Sequence, residues 1–240
     1  MRSELKAHIE NLALMASEKL SREKFEYIAQ GYDTGITVRE NEIALKRLTL
    51  SFEKPRNIDK VRWGELNFPI MIAPMAFHSL YDESEGEIAT ARACQNADVP
   101  FIVPMMSNYS LEEIASSAPR ATLLLQMHVC DDLQVNRELI ARAKQAGYKA
   151  IVLTVDVPPL PKKQCDIKNQ FSISYNPANF LMEKAKMASR LCWQDVLAIK
   201  DYCCEIPLYL KGITAVDDAL KAYNAGFSGI FISIDDCQYK

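Results

Sequence analysis

Residues 150–156 read Ala-Ile-Val-Leu-Thr-Val-Asp, a short unbroken apolar run that closes on a threonine and an acid. Aliphatic and β-branched residues without polar alternation mark a strand buried on both faces, as in a parallel sheet covered by helices. An acid directly behind such a run stands at the C-terminal end of the strand, where parallel α/β folds gather their chemistry. Five further runs of strand length repeat the pattern, at 69–73, 101–105, 122–129, 208–211 and 229–233. Between them lie helical-period segments at 84–97, 111–117, 133–146, 193–202 and 216–225. Several runs end in polar groups: Gln126 and His128 on the third, Thr154 and Asp156 on the fourth, Lys211 on the fifth, Asp235 behind the sixth. This alternation predicts an α/β fold on a parallel sheet, either closed as a barrel or open and doubly wound.

A closed (β/α)₈ barrel takes eight strand–helix units and typically about 250 residues. Six units are visible from residue 68 onward, and the chain stops a few residues beyond a strand end, which reads as a truncated barrel. Residues 1–67 form a separate lead-in. Apolar positions at Leu5, Ile9, Leu12, Leu14, Met15, Phe25, Tyr27 and Ile28 predict helix over 1–30, stopped by Gly31. A second helix is expected over 37–45, where Thr37 and Glu40 have capping-box spacing. The expected division is therefore a helical region at 1–67 and a partial α/β barrel at 68–240.

Composition removes several classes of function. The 240 residues are 49% hydrophobic and 25% charged, which excludes a disordered chain. No run of 18 apolar residues occurs, so no transmembrane helix is expected, and the N-terminus lacks a secretory apolar core. The net charge of −3, without a basic stripe, argues against nucleic acid as a partner. Seven cysteines without C-x-x-C spacing read as reduced thiols of an intracellular protein, neither a disulfide frame nor a metal site. With only 8 glycines there is no G-x-G-x-x-G or Walker loop, so a Rossmann or P-loop nucleotide site is excluded. Met105 and Met106 read as core filler, Cys203-Cys204 as inert residues at a helix end, and Lys162-Lys163 as a solvated loop.

The order and spacing of several stretches carry a resemblance. These are Glu26-Tyr27-Ile28-Ala29-Gln30-Gly31, Arg39-Glu40-Asn41, Ile72-Ala73-Pro74-Met75-Ala76, 85–93, 111–115, Ala146-Gly147-Tyr148-Lys149-Ala150, Leu153-Thr154-Val155-Asp156, Asp166-Ile167-Lys168-Asn169 and Leu210-Lys211-Gly212-Ile213. Together they resemble the FMN-dependent 2-hydroxy-acid oxidases and dehydrogenases, the glycolate oxidase-like family, over nearly the whole chain. The resemblance implies a TIM-type (β/α)₈ barrel, incomplete here with about six βα units. It implies FMN as cofactor and oxidation of small (S)-2-hydroxy acids to 2-oxo acids. Tyr27 matches a tyrosine that holds the substrate carboxylate. Ala73 and Ala76 match the stretch whose backbone meets the flavin, Gln126 and Thr154 match ring contacts, and Lys211 matches the lysine that neutralises the reduced ring. Asp156 matches the carboxylate that orients a catalytic histidine.

Other positions depart from that pattern. Asp235 stands where the resemblance places the proton-abstracting histidine, and Gln238 where an arginine grips the substrate carboxylate. His128 replaces a substrate-side tyrosine, although at the end of a buried strand a satisfied structural histidine is the plainer account of it. Pro104 replaces a flavin-contacting serine and Met106 a tryptophan. Lys163 replaces a further arginine, which keeps the charge and loses the bidentate fork. If Asp235 approaches Asp156 as the barrel implies, two acids share a site and one pKa rises. The expectation is weak FMN binding and impaired or lost turnover, the alternative being a non-catalytic protein that keeps the partial barrel for binding or assembly. Open apolar edges on the first and sixth strands predict homo-oligomer formation or self-association. Family resemblance implies a peroxisomal location, though the terminal Gln238-Tyr239-Lys240 is not an S-K-L-type address.

Overall fold

The computed structural model of the chain describes residues 9–31, 34–47, 69–156, 164–171, 177–179 and 186–234. These fall into two compact units, one holding 9–31, 34–47 and 164–171, the other 69–156, 177–179 and 186–234.

The first unit is helical. Helix α1 spans Ile9–Lys19 and α2 spans Arg22–Ala29, so the predicted single helix breaks at Leu20 and Ser21. The break has a local cause: the Ser21 hydroxyl accepts from the Lys24 N–H at 3.4 Å and starts a new helix. Helix α3 spans Ile36–Arg47. Thr37 therefore lies inside the helix, and the capping box expected at Thr37 and Glu40 does not form. Helix α7, Gln164–Asn169, packs on α2, where Asn169 Nδ2 donates to Glu26 Oε2 at 2.7 Å.

The second unit is the parallel sheet. Its strands are β1 Phe101–Pro104, β2 Leu123–His128, β3 Ala150–Thr154, β4 Leu208–Lys211 and β5 Gly229–Phe231, in the order β1-β2-β3-β4-β5. All neighbours are parallel. The predicted strand at 69–73 contributes a single bridge, Ile72 to Phe101, with the Ile72 N–H donating to Pro100 O and the Ile72 carbonyl accepting from the Ile102 N–H. The last strand ends at Phe231, two residues before the expected limit. Helices α4 Gly86–Ala97, α5 Leu111–Ser117, α6 Leu133–Gln145, α8 Trp193–Tyr202 and α9 Val216–Asn224 follow the bridge and strands in turn. The alternation matches the sequence reading within two residues at nearly every boundary.

Their starts are written in side chains. Ser110 and Glu113 form a reciprocal capping box on α5, and Asp132 accepts from the Gln134 N–H at 2.9 Å on α6. The apolar strand residues divide by parity. Phe101, Val103, Leu123, Leu125, Ile151 and Leu153 join helix residues such as Ala91, Ile114, Leu139 and Val196 in the larger core. The alternate residues Ile102, Leu124, Ala150 and Val152 form a smaller cluster on the other face, with Met71, Tyr209 and Phe231 against it.

Candidate functional site

Alternate residues of a strand face the same side. Pro104, Gln126, Thr154 and Lys211 each lie two positions beyond an inner-cluster residue, namely Ile102, Leu124, Val152 and Tyr209, and His128 lies four beyond Leu124. The register then aligns them. Pro104 pairs with Gln126, and His128, Thr154 and Lys211 fall in one row across β2, β3 and β4. The inner apolar face thus gives way to polar groups at the C-terminal ends of the strands. There a cavity of about 140 Å³ is lined by Pro74, Ala76, Pro104, Met106, Gln126, His128, Thr154 and Lys211.

A short hydrogen-bond chain orders the lining. Gln126 and Thr154 are buried, and Gln126 Nε2 donates to Thr154 Oγ1 at 2.9 Å. The same amide nitrogen lies 3.1 Å from His128 Nε2. Below the ring, the His128 backbone is clamped: its carbonyl accepts from Asn136 Nδ2 at 2.7 Å and its N–H donates to Met105 Sδ at 3.0 Å. Asn136, fully buried on α6, also accepts the Cys130 N–H at 2.9 Å. Burial, with Asp131 and Asp132 beside it, pushes the Cys130 thiol up to about 11, so this cysteine is an inert structural group near neutral pH.

Asp156 lies two residues beyond Thr154, outside the cavity lining, with its carboxyl packed on Gly212. Gly212 has φ +104, and a Cβ there would land on the Asp156 carboxyl. Ala73 is exposed just past the Ile72 bridge and does not line the cavity. Tyr27 belongs to the helical unit, where its ring packs on Phe171 with centroids 5.7 Å apart. Lys163, Asp235 and Gln238 lie outside the described residues. Five of the expected site residues, Ala76, Gln126, His128, Thr154 and Lys211, are thus brought to one cavity. Among the described residues there is no cluster of His, Cys, Asp and Glu able to hold a metal, and no helix is long and apolar enough to cross a membrane.

Sequence reasoning missed the supports. Asn179 is buried, donates to Met105 O and Ser107 Oγ, and accepts the Leu111 N–H, which ties down the loop after β1. Glu87 is fully buried on α4 and accepts the N–H groups of His78 and Asn108 at 3.2 and 3.0 Å. A polar residue at an apolar helical position, as in Val135-Asn136 before Leu139, was the available signal.

The profile of the FMN-dependent dehydrogenase family matches residues 16–235. The chain belongs to that family. It is 32% identical to 2-hydroxyacid oxidase 2 of Homo sapiens over 234 residues, covering 91% of this chain and 66% of the relative. It is 34% identical to a peroxisomal (S)-2-hydroxyacid oxidase of Arabidopsis thaliana over 252 residues, covering 94% of this chain and 68% of that one. Among solved structures, mandelate oxidase superposes with a TM-score of 0.85 at 32% identity, covering 96% of this chain and 69% of that chain. A mandelate oxidase variant with a C4a-OH-FMN adduct superposes with a TM-score of 0.84. These likenesses make the fold a TIM barrel, of which the described residues supply five parallel strands and the Ile72 bridge. The chain spans about two thirds of the length of the relatives it matches.

Proposed function

We propose that the cavity seats the ring of FMN and that the chain oxidises a small (S)-2-hydroxy acid there, less efficiently than its relatives. The observation that carries this is the donor set. The lining combines the polar Gln126, His128, Thr154 and Lys211 with the apolar Pro74, Ala76, Pro104 and Met106. A planar heteroaromatic ring with an apolar face and a carbonyl-rich edge suits that combination, so the residues present fit the group. When bound, FMN supplies a two-electron acceptor.

The chain's own residues do the rest. Gln126 and Thr154 orient the ring through the amide and hydroxyl already paired at 2.9 Å. The Lys211 ammonium favours any negative charge that grows beside it, an electrostatic contribution strengthened where water is excluded. By the resemblance, Asp156 is assigned to orienting the group that takes the substrate proton. The reduced efficiency follows from charge. By the resemblance, Gln238 replaces an arginine, Asp235 a histidine and Lys163 a further arginine, and this loss of positive charge and of a bidentate fork disfavours an anionic substrate. The peroxisomal name of the Arabidopsis relative supports the same compartment here.

Reconstitution tests this. The purified chain in excess FMN binds flavin weakly, read as a shifted absorbance band, and anaerobic glycolate or lactate bleaches it slowly. Lys211→Met weakens FMN binding about 10-fold or more, the scale of one charged hydrogen bond. An unshifted band at millimolar FMN rejects the seat. A shifted band that no 2-hydroxy acid bleaches favours the second reading, a non-catalytic binding protein. Lys211 being the only lysine or arginine among the residues lining the cavity also favours that second reading.

A further inference from the structure

We propose that His128 accepts the hydroxyl proton of the 2-hydroxy acid, so that the proton acceptor of this site stands on β2. This rests on the reading of the cavity given above. Among the described residues, His128 is the only imidazole lining that cavity. The other described histidine, His78, is buried and has its Nδ1 on Thr90 Oγ1 at 3.0 Å.

Two features make the His128 ring suited to accept a proton. With the Gln126 amide nitrogen facing both Thr154 Oγ1 and His128 Nε2, at 2.9 and 3.1 Å, its two hydrogens go one to each. His128 Nε2 is then the lone-pair nitrogen and the ring is the neutral Nδ1–H tautomer. A substrate hydroxyl that takes the place of the amide hydrogen meets a basic nitrogen already aimed at it. The backbone that carries the ring is also held, by Asn136 Nδ2 on the His128 carbonyl and by Met105 Sδ on the His128 backbone N–H.

Among the residues lining the cavity, His128 alone carries a neutral nitrogen base; Gln126 and Thr154 are not bases and Lys211 is a cation. A base works best with a pKa close to the operating pH. The step balances. The substrate O–H bond breaks and its proton goes to His128 Nε2. The Cα–H bond breaks with its electron pair, which passes as hydride to the flavin-class acceptor, and the C–O bond becomes a carbonyl. Lys211, two strands away in the same register row, balances the negative charge gained by the acceptor.

Two measurements test the assignment. The first needs no flavin. The chain is labelled with ¹⁵N-histidine and titrated with glycolate or with acetate, which lacks the hydroxyl. Glycolate is expected to shift the His128 Nε2 resonance and to bind about 5-fold tighter than acetate, one hydrogen bond's worth. His128→Phe erases that preference. Equal responses to the two acids overturn the proposal. The second follows anaerobic flavin reduction against pH. The rate of the native chain is expected to fall toward acid pH as a single-proton limb, about 10-fold per pH unit at its steepest. His128→Asn is expected to be about 10²–10⁴-fold slower, flat across that range, and partly rescued by added imidazole. An acid limb that persists in His128→Asn overturns it. Failure to bind FMN rejects the reading of the cavity, and the first measurement still decides the role of His128.

Discussion

Helix α6 buries Val135, Asn136, Leu139, Ile140 and Ala143, whereas α9 buries Ala222 alone. The two helices carry the same local signals. Each follows a parallel strand and ends in Ala-Gly, with the glycine left-handed at φ 86 in one and 72 in the other. In each the next residue closes the cap, Tyr148 N–H on Ala143 O at 3.0 Å and Phe227 N–H on Ala222 O at 3.2 Å. The difference is in their neighbours. Helix α6 packs between α5 and α8, while the main contact of α9 is with β5. The strands follow the same gradient: β1 and β3 are buried throughout, β4 alternates, and no residue of β5 is fully buried. Caps and periodicity are sufficient to build a helix, but burying its apolar face takes an element on either side.

The largest effect expected from this contrast is in paired truncations. Leu139→Ala on α6 removes a side chain with 1% exposure and is expected to cost about 2–5 kcal/mol. Leu220→Ala on α9, where the leucine is 54% exposed, is expected to cost no more than about 0.5 kcal/mol. Urea denaturation of both variants measures the difference, and equal losses would mean that α9 is covered in solution.

Next in size is Asn136→Ala. It strands the Cys130 N–H and the His128 carbonyl inside the core, which is expected to cost about 1–3 kcal/mol. It also loosens the turn that presents His128. Denaturation together with FMN affinity separates the two effects: Leu139→Ala lowers stability with little change in flavin affinity, whereas Asn136→Ala lowers both.

A smaller effect distinguishes the buried side by pH. Burial pushes the His78 pKa below its ordinary value against the opposing pull of Glu87 and the Met75 backbone. The unfolded chain therefore takes up a proton near pH 6.5 that the folded chain resists. Stability from this group is intact above about 6.5 and declines as pH falls toward the lowered folded value, where the loss levels off. His78→Gln is expected to flatten that slope. The acids held low by partners, Glu112 by Arg142 and Glu205 by Lys144, lose their contribution only below their ordinary carboxylate range, a separate window.

How much of this was legible in the sequence follows from the same contrast. Strand runs, helix periods and the polar strand ends Gln126, His128, Thr154 and Lys211 are local patterns, and each reappears in the structure within a residue or two. The strand expected at 69–73 is also a local apolar run, yet it pairs only through Ile72, because pairing depends on what stands opposite. The partners of the long-range polar supports were not legible, even where a polar residue such as Asn136 at an apolar helical position marks one end. Asn179 reaches Leu111 across 68 positions, and no spacing rule connects them. The same holds for Gly212, whose need to be glycine comes from the Asp156 carboxyl packed on it.

The smallest effect on stability is expected at the outer face of α9, and it is the most informative about association. Val216, Leu220 and Tyr223 recur at i, i+4 and i+7, which places them in one stripe. They are 75%, 54% and 81% exposed, and Ile232 beyond β5 is 83% exposed. Among the described residues no strand pairs with β5 on the side away from β4. An open strand edge beside an apolar stripe is a template for association. The double change Leu220→Ser and Tyr223→Ser leaves the β1–β4 core untouched. Its cost should not exceed the helix-propensity penalty, roughly 0.5 kcal/mol per site. Light scattering of concentrated protein should fall clearly, with the melting temperature almost unchanged. A drop in melting temperature of many degrees would show that this face packs against something within the chain. Unchanged scattering would place self-association at a different surface, and the exposed Ile70, Ile72 and Met75 beside β1 are then the next residues to make polar.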